Sequence, residues 1–437
     1  MDRYFPQKFR KVINDLKRRP EDAAADLGVD QETIENILNG KKYPDFELIK
    51  KAINVWPVNY SDFFSIEDDT KNGFRIFKKK DSDKTAREMS RDGKPYYLYK
   101  DTVMSKLSAF RPEWIEELIT VNDSNPQNNE VKFNNGHFLH QFTYFIGPVN
   151  FYYVENGEKK VAEMNTGDSM YISPYIPHSF TTRKNKEKVN GLILALTYTD
   201  KVDSEVLNEL KAIGQNLSKK YKINLDSSDP KKSLVENINY YLKISSIEKN
   251  YLEMELNFTI NKAVDEFFLN SVEKLILITK KLDINLRDIL PPSNFDTVKI
   301  QYYKDSRHWY LPNDKEKYFE IKKLTDAPQL PTSKSIELTV LTNVETDYIF
   351  SIPCHQYIYN VGTTTCNIKT NKDLIKCEPG DSLYIKPNLD HTFYNKSKLL
   401  ILRIGGQISG ENLYHLSMLN KNNYDRLLND NMPWFNK

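Results

Sequence analysis

Two stretches of this chain nearly repeat each other, so whatever one of them folds into, the other must also be able to form. "NTGDSMYISPYIPHSF" runs from Asn165 to Phe180, and "EPGDSLYIKPNLDHTF" from Glu378 to Phe393. Upstream, "HQFTYFIG" from His140 answers to "HQYIYNVG" from His355. In each copy a Gly-Asp turn leads into a short strand, then a proline and a histidine. Self-similarity on this scale signals a duplicated β-domain. Short strands punctuated by Gly, Pro and Asn fit a small antiparallel barrel or jelly roll.

The rest of the chain is arranged around these copies. With 437 residues it can bury ample core and divides into more than one domain. Residues 1–68 read as a helical module. Phe9, Val12, Ile13 and Leu16 recur at helical spacing. "PEDAAADLGVDQETIENILNG" then gives a helix, a turn at Leu27-Gly28, and a second helix capped by Asp30 and stopped by Gly40. That is a helix-turn-helix pattern. Its second helix begins Gln31-Glu32 and includes Glu35, acids that would repel phosphates, so DNA is disfavoured as a partner. Residues 69–200 hold the first strand-rich copy and 201–296 a helical linker module. Residues 297–437 hold the second copy with a C-terminal helix. The fold class is α+β: a helical module plus a barrel, repeated in degenerate form.

Composition narrows the function classes. Net charge is +2 with both signs interspersed, which gives no electrostatic case for nucleic acid or a membrane surface. No apolar run approaches the ~20 residues of a membrane helix. The opening "MDRYFPQKFRKVINDL" has no apolar signal core, so a cytoplasmic location is expected. Cys354, Cys366 and Cys377 lack CxxC spacing and are expected to be free thiols.

In the first copy, "NNGHFLHQF" places His137 four residues before Gln141, and Gly167 precedes His178 by eleven. Both spacings resemble the paired metal-binding motifs of cupin domains, with an amide where an acid is usual. Two imidazoles and an oxygen donor suit iron, zinc or copper and leave coordination positions open. On a straight strand, residues i and i+4 stand ~13 Å apart, so chelation by His137 and Gln141 requires a bend. The pair His140-Gln141 is not diagnostic, because the second copy keeps it as His355-Gln356 and also keeps His391. What the second copy lacks is His137, whose aligned counterpart is Ile352. The first copy is therefore read as the metal site and the second as a metal-free scaffold.

A fork of donors accompanies the site. Arg91 lies eight residues before Tyr99, and Asn134 three before His137. Arg, Tyr and Asn suit a phosphate-like oxyanion. Their counterparts by counting are Asn313, Ile321 and Ile349, so the oxyanion donors disappear together with His137. A neutral Gln141 would leave a divalent metal with more net positive charge, which favours an anionic, chelating substrate.

Taken together, Arg-x7-Tyr, Asn-x2-His-x3-Gln and Gly-x10-His resemble the motifs of the helix-turn-helix cupin family, non-heme-iron oxygenases acting on phosphonates. The likeness spans nearly the whole chain. It implies that His137, Gln141 and His178 hold Fe(II), and that Arg91, Tyr99 and Asn134 bind the phosphonate. Tyr96 resembles a second tyrosine near the substrate. Lys17 resembles a lysine that reaches the site from the helical module, in some members from a neighbouring subunit, so a homo-oligomer is expected. The implied partners are 2-hydroxyethylphosphonate and O2, without 2-oxoglutarate. Oxidation falls to oxygen at the iron, and no separate protein acid or base is assigned.

Members of the family differ at two positions. Epoxidases carry glutamate where Gln141 stands, and dioxygenases take a glutamate from the position of Ile172. Glutamine with an apolar residue is the combination expected of members that cleave C1–C2 to methylphosphonate and bicarbonate. One alternative is the dioxygenase outcome, hydroxymethylphosphonate and formate. Another, from a different class, is a helix-turn-helix cupin regulator that senses a small anion.

Overall fold

The periodic apolar residues at the head of the chain become helices in the computed structural model, which describes residues 4–433 except 109, 187, 199–203, 225–228, 292–295, 420 and 430–431. Helices Phe5–Asp15, Pro20–Leu27, Gln31–Leu38 and Phe46–Val55 pack around Phe9, Ile13, Leu27, Ile34 and Trp56. Pro20 opens the second helix, where a missing N–H costs nothing. Gly28 closes it in the left-handed region, and Asp30 caps the next helix by accepting from Thr33 N at 2.6 Å. Glu32 and Glu35 stay on that helix's exposed face. Later in the chain, helices Lys249–Leu256 and Ile260–Phe268 repeat this arrangement, with Asn257 at φ +59 and Thr259 as the cap. The boundary expected at 200/201 lies outside the described residues.

The strand-rich regions form two seven-stranded antiparallel sheets. One runs, edge to edge, Val298–Gln301, Ser169–Ile172, His140–Ile146, Leu192–Tyr198, Arg111–Glu117, Lys94–Asp101 and Arg87–Arg91. The other runs Phe74–Phe77, Ser382–Ile385, His355–Asn360, Ser397–Ile404, Lys334–Val340, Lys317–Lys323 and His308–Pro312. A smaller sheet covers the inner face of each. Strands Val149–Glu155, Glu158–Met164 and His178–Arg183 close over the first, sharing a core of Phe145, Phe151, Phe180 and Ile193. Strands Cys366–Thr370, Leu374–Cys377 and His391–Tyr394 close over the second.

The two sheets trade edge strands. Val298–Gln301, from the later region, pairs with Ser169–Ile172, and Phe74–Phe77, from the earlier region, pairs with Ser382–Ile385. The repeated Gly-Asp turns anchor the exchange. Asp168 accepts from Asn165 N (2.7 Å) in its own turn and from Tyr303 N (2.8 Å) of the incoming chain. Asp381 likewise accepts from Glu378 N (2.8 Å) and from Lys79 N (2.8 Å).

The outer faces of the large sheets press together. Phe142, Tyr144, Tyr171, Leu194 and Tyr198 meet Tyr357, Tyr359, Tyr384, Leu400 and Leu402 in one core. Buried Glu337 sits in this seam, accepting from Tyr144 OH and Tyr303 OH at 2.7 Å each, with the Lys398 ammonium at 3.2 Å. None of the three cysteines forms a disulfide among the described residues. Among the described residues no helix is long and apolar enough to cross a membrane.

Both tyrosines serve one carboxylate, which sets the expected mutational pattern. Tyr144→Phe and Tyr303→Phe should each cost about 1–3 kcal/mol, because each removes a donor from a buried charged acceptor. The double variant should lose less than the sum of the two. Denaturant unfolding of the parent, single and double variants measures this.

Candidate metal centre and anion site

The pleat of strand His140–Ile146 separates two residues that sequence alone places side by side. His140 turns to the seam between the large sheets, with Nδ1 2.8 Å from Tyr171 OH and its ring stacked on that tyrosine. Gln141 turns inward and is 3% exposed. His137 lies ahead of the strand in a bent segment, which brings its Nε2 to 2.8 Å from Gln141 Oε1. Gly136 makes this bend possible. Its φ is +73, and a Cβ there would stand 2.5–2.7 Å from the Tyr175 backbone. The crossing is closed by Tyr175 N donating to His137 O at 2.7 Å. The same crossing brings in His178, whose ring centroid lies 5.3 Å from that of His137.

The hydrogen bonds orient these groups as ligands. Nδ1 of His137 donates to Leu139 O, and Nδ1 of His178 to Ile176 O, at 2.8 Å each. In the tautomer that these bonds select, each ring presents the lone pair of Nε2. Gln141 Nε2 donates to Thr143 Oγ1 at 2.8 Å, which points Oε1 at His137. Two acceptors, His137 Nε2 and Gln141 Oε1, then face each other at 2.8 Å, an arrangement that a cation satisfies. Burial pushes the His178 pKa down to about 4, against the opposing pull of the Ile176 carbonyl, so the ring is neutral at pH 7. Among the described residues no group of three or more His, Cys, Asp or Glu is placed to hold a metal ion. A centre here therefore needs the Gln141 amide as its third donor, and the residues fit a small divalent ion of mixed nitrogen and oxygen preference.

The candidate anion donors stand beside this cluster. The Arg91 guanidinium lies 4.9 Å from the Tyr96 ring centroid and 4.7 Å from that of Tyr97, and it bonds Lys132 O. Asn134 Oδ1 accepts from Gly136 N (3.0 Å) and His178 N (2.9 Å), leaving Nδ2 3.0 Å from His178 Nε2. Burial, with the Glu113 and Glu117 carboxyls nearby, pushes the Tyr99 pKa above its ordinary value, so its hydroxyl remains a donor. The Tyr96 hydroxyl is already engaged by Ser179 Oγ (3.0 Å) and Lys132 N (3.1 Å). A cleft of about 650 Å³ opens onto Arg91 and Asn134, with Lys132, Lys159 and Pro177 also on its wall. Lys17 is exposed on the helical module, with Nζ 3.1 Å from Asp15 O.

The second copy shows what changes when these residues do. Asn388 N donates to Ile352 O as Tyr175 N does to His137 O, so Ile352 takes the place of His137. Register pairs Ile321 with Leu338 as it pairs Tyr99 with Ile115. One expectation needs correction. The backbone pairing that Asn134 makes with His178 is made there by Phe350 with His391, so Phe350 replaces Asn134, not Ile349. A chain one residue shorter in this loop defeats counting. Gln356 also keeps different company, because its Oε1 accepts from Arg403 Nε at 3.2 Å. Arg403 occupies the register position of Thr197.

Several residues of the site escaped the sequence reading. Thr143 orients Gln141, Ser179 joins Arg91, Tyr96 and Tyr97, and Glu113 neutralises Arg87 at 2.5 Å. Only Thr143 had a usable signal, as a polar inward position two residues after Gln141.

No protein-family model matches the chain. The chain is 42% identical over 436 residues to a methylphosphonate synthase of Nitrosopumilus maritimus (strain SCM1), covering 98% of this chain and 94% of the relative. It is 30% identical over 95 residues to an (S)-2-hydroxypropylphosphonic acid epoxidase of Streptomyces wedmorensis, 22% of this chain and 46% of that one. Among solved structures it resembles Streptomyces albus HEPD with 2-hydroxyethylphosphonate and Fe(II) bound. That likeness has 29% identity and a TM-score of 0.88, and covers 99% of this chain and 98% of the other.

The loop crossing at Gly136 gives a direct test of the cluster. Gly136→Ala should weaken Co(II) binding by about tenfold or more, since it displaces the segment that carries His137. Titration followed by the visible absorption of the bound ion reads this, with circular dichroism expected to match the parent.

Proposed function

Because this chain belongs to the methylphosphonate synthase family of phosphonate oxygenases, we propose that it cleaves the C1–C2 bond of 2-hydroxyethylphosphonate with O2, releasing methylphosphonate and bicarbonate. The observation that carries this choice is a facing pair. Gln141 and Ile172 are register partners on adjacent strands, and both are buried. An amide stands at one position, an alkyl group at the other, and a carboxylate at neither. Substrate plus one O2 contains the atoms of methylphosphonate and carbonic acid, so no further reductant is required.

His137 Nε2, Gln141 Oε1 and His178 Nε2 would hold Fe(II), a reading supported by the ion in Streptomyces albus HEPD. Bound there, iron would supply O2 activation and Lewis acidity toward the substrate's oxygens. The chain's own residues bind, orient and desolvate. All three ligands are neutral and leave the dication's charge undiminished toward an anionic substrate. Arg91 is stacked on two tyrosines, so little side-chain motion is left to freeze on binding. Tyr99 and Asn134 donate to the remaining oxygens, and Lys17, from this chain or a neighbouring copy, adds a further positive charge. Tyr96 acts through Arg91 and Ser179, to which it is already committed. Phe145, Phe151 and Phe180 keep the interior dry.

The frame we assign is a duplicated cupin, with helical modules at 1–68 and 201–296, a catalytic cupin at 69–200 and a metal-free one at 297–437. The common strand order of the two large sheets supports it. With the edge strands traded, each cupin is completed by the other. Exposed Glu32 and Glu35 weigh against a DNA-binding regulator.

Phosphorus NMR of the anaerobically iron-loaded protein, given 2-hydroxyethylphosphonate and then air, tests the reaction. A methylphosphonate signal is expected; hydroxymethylphosphonate without it would assign the dioxygenase outcome instead. Metal analysis tests the ligands. Gln141→Ala should lose bound iron and turnover together, whereas His391→Ala should keep the parent's iron stoichiometry. Loss of metal from the second variant would refute a single centre.

A further inference from the structure

Strand Arg111–Glu117 ends inside the first sheet pair on an acid that the proposed reaction does not use. Glu117 is fully buried, and neither carboxyl oxygen has a hydrogen-bond partner among the described residues. An ionised carboxylate left this way is costly, so burial pushes the Glu117 pKa well above the usual carboxylate range while Arg91 pulls in the opposite direction.

The neighbours are specific. Tyr97 is its cross-strand partner, and Tyr96 and Tyr99 lie on the same adjoining strand. Arg91 faces it from strand Arg87–Arg91, while Ser179 and Thr181, which do not titrate, stand on strand His178–Arg183. On its own strand, Glu113 is taken by Arg87. Arg91 does not bond Glu117: its Nη1 goes to Lys132 O and Ser179 Oγ.

The second sheet pair supplies a control. Val340 holds the register position of Glu117, in the copy where Asn313, Ile321 and Phe350 replace Arg91, Tyr99 and Asn134. An apolar side chain fills this place there, so the fold does not require an acid. The acid occurs where the oxyanion donors occur.

We infer that Glu117 is a positioning residue: as a neutral acid behind Arg91 it leaves the guanidinium's charge to the substrate anion, and on losing its proton it would pair with Arg91 and close the oxyanion site. The inference rests on the phosphonate reading of this site. The sign follows from the raised pKa. Binding competence is full below the folded-state value and is lost as pH rises through it. Stability runs the same way, because the unfolded acid ionises near ~4.3 and the folded one keeps its proton. Glu117→Gln should therefore be the more stable protein at pH 8 and nearly equal to the parent at pH 4.

The experiment uses full-length protein loaded anaerobically with Fe(II), titrated with 2-hydroxyethylphosphonate by calorimetry from pH 6 to 9, for the parent, Glu117→Gln and Glu117→Val. Infrared difference spectra of parent minus Glu117→Gln follow the protonated-carboxyl C=O stretch over the same range. Ionisation of the substrate is common to all three proteins and cancels in their ratio. We expect the acid band at pH 7. Where the band converts, the parent's Kd should rise about tenfold per pH unit relative to both neutral variants. If the band persists to pH 9, parent and Glu117→Gln should bind equally throughout. A carboxylate band at pH 7, or a Kd ratio that ignores the conversion, overturns the inference. If the parent binds no phosphonate at any pH, the phosphonate reading fails instead, and the infrared band and stability still report on Glu117.

Discussion

The seam between the two large sheets governs what each of them can offer a ligand. A strand presents alternate residues to opposite faces, so once Phe142 and Tyr144 are committed to the seam, Gln141 and Thr143 must face the interior. The same pleat assigns His140 to Tyr171, and His355 to Tyr384 at 2.6 Å. These histidines are consumed by architecture in both copies. The large aromatic area buried in the seam is what fixes the register, because a slip of one residue would turn Tyr144 inward and Gln141 outward. The candidate centre is thus positioned by contacts on the far side of its own sheet.

Most residues shared by the repeats serve that architecture, and the copies part around the candidate site: Gln141 and His178 are kept as Gln356 and His391, but only the first copy adds His137. Asp168 and Asp381 bind turn and incoming strand alike, which is why both copies retain them. Against this constant frame stand His137 and Ile352, Asn134 and Phe350, Tyr99 and Ile321, Glu117 and Val340. Each substitution on the second side removes a polar group, apart from one exchange in the opposite sense. Where the first copy has Thr197, the second has Arg403, whose Nε holds the oxygen of Gln356. A guanidinium fixed beside that amide repels a divalent ion. The loss of His137 and the gain of Arg403 point the same way.

Local chemistry made much of this legible in the sequence. The cap at Asp30, the turn at Gly28 and the spacing of His137, Gln141 and His178 depend on near neighbours in the chain, and pattern reading sees near neighbours. The exchange of edge strands was not legible. Phe74–Phe77 and Val298–Gln301 carry the alternation of any short strand, and nothing local says which sheet will take them. Gly136 was invisible for a related reason, since its requirement comes from Tyr175, brought close by the fold. Nothing local marks Glu117 either: the pleat turns it inward opposite Tyr97 of the next strand. Lys17 marks the limit from the other side: the resemblance gives it a place at the site, while this single chain holds it exposed on the helical module.

Charge bookkeeping connects these details. On the edge strand, exposed Arg87 is neutralised by Glu113 and Asp101, at 2.5 and 2.7 Å, while inside the sheet pair burial pushes the Glu117 pKa well above the usual carboxylate range. Among the described residues no carboxylate pairs with Arg91, whose Nη1 goes to Lys132 O and Ser179 Oγ. A His–Gln–His set adds no negative charge, so a divalent ion there would raise the local positive charge without any offset from its ligands. A glutamate in place of Gln141 would cancel one unit of that charge beside the candidate anion donors. On the proposed reading, the amide, a neutral Glu117 and the Arg91 guanidinium act in one direction, toward a multiply charged anion. A carboxylate in place of Gln141, or loss of the Arg91 charge, would weaken such an anion's hold without disturbing the strands that carry the site.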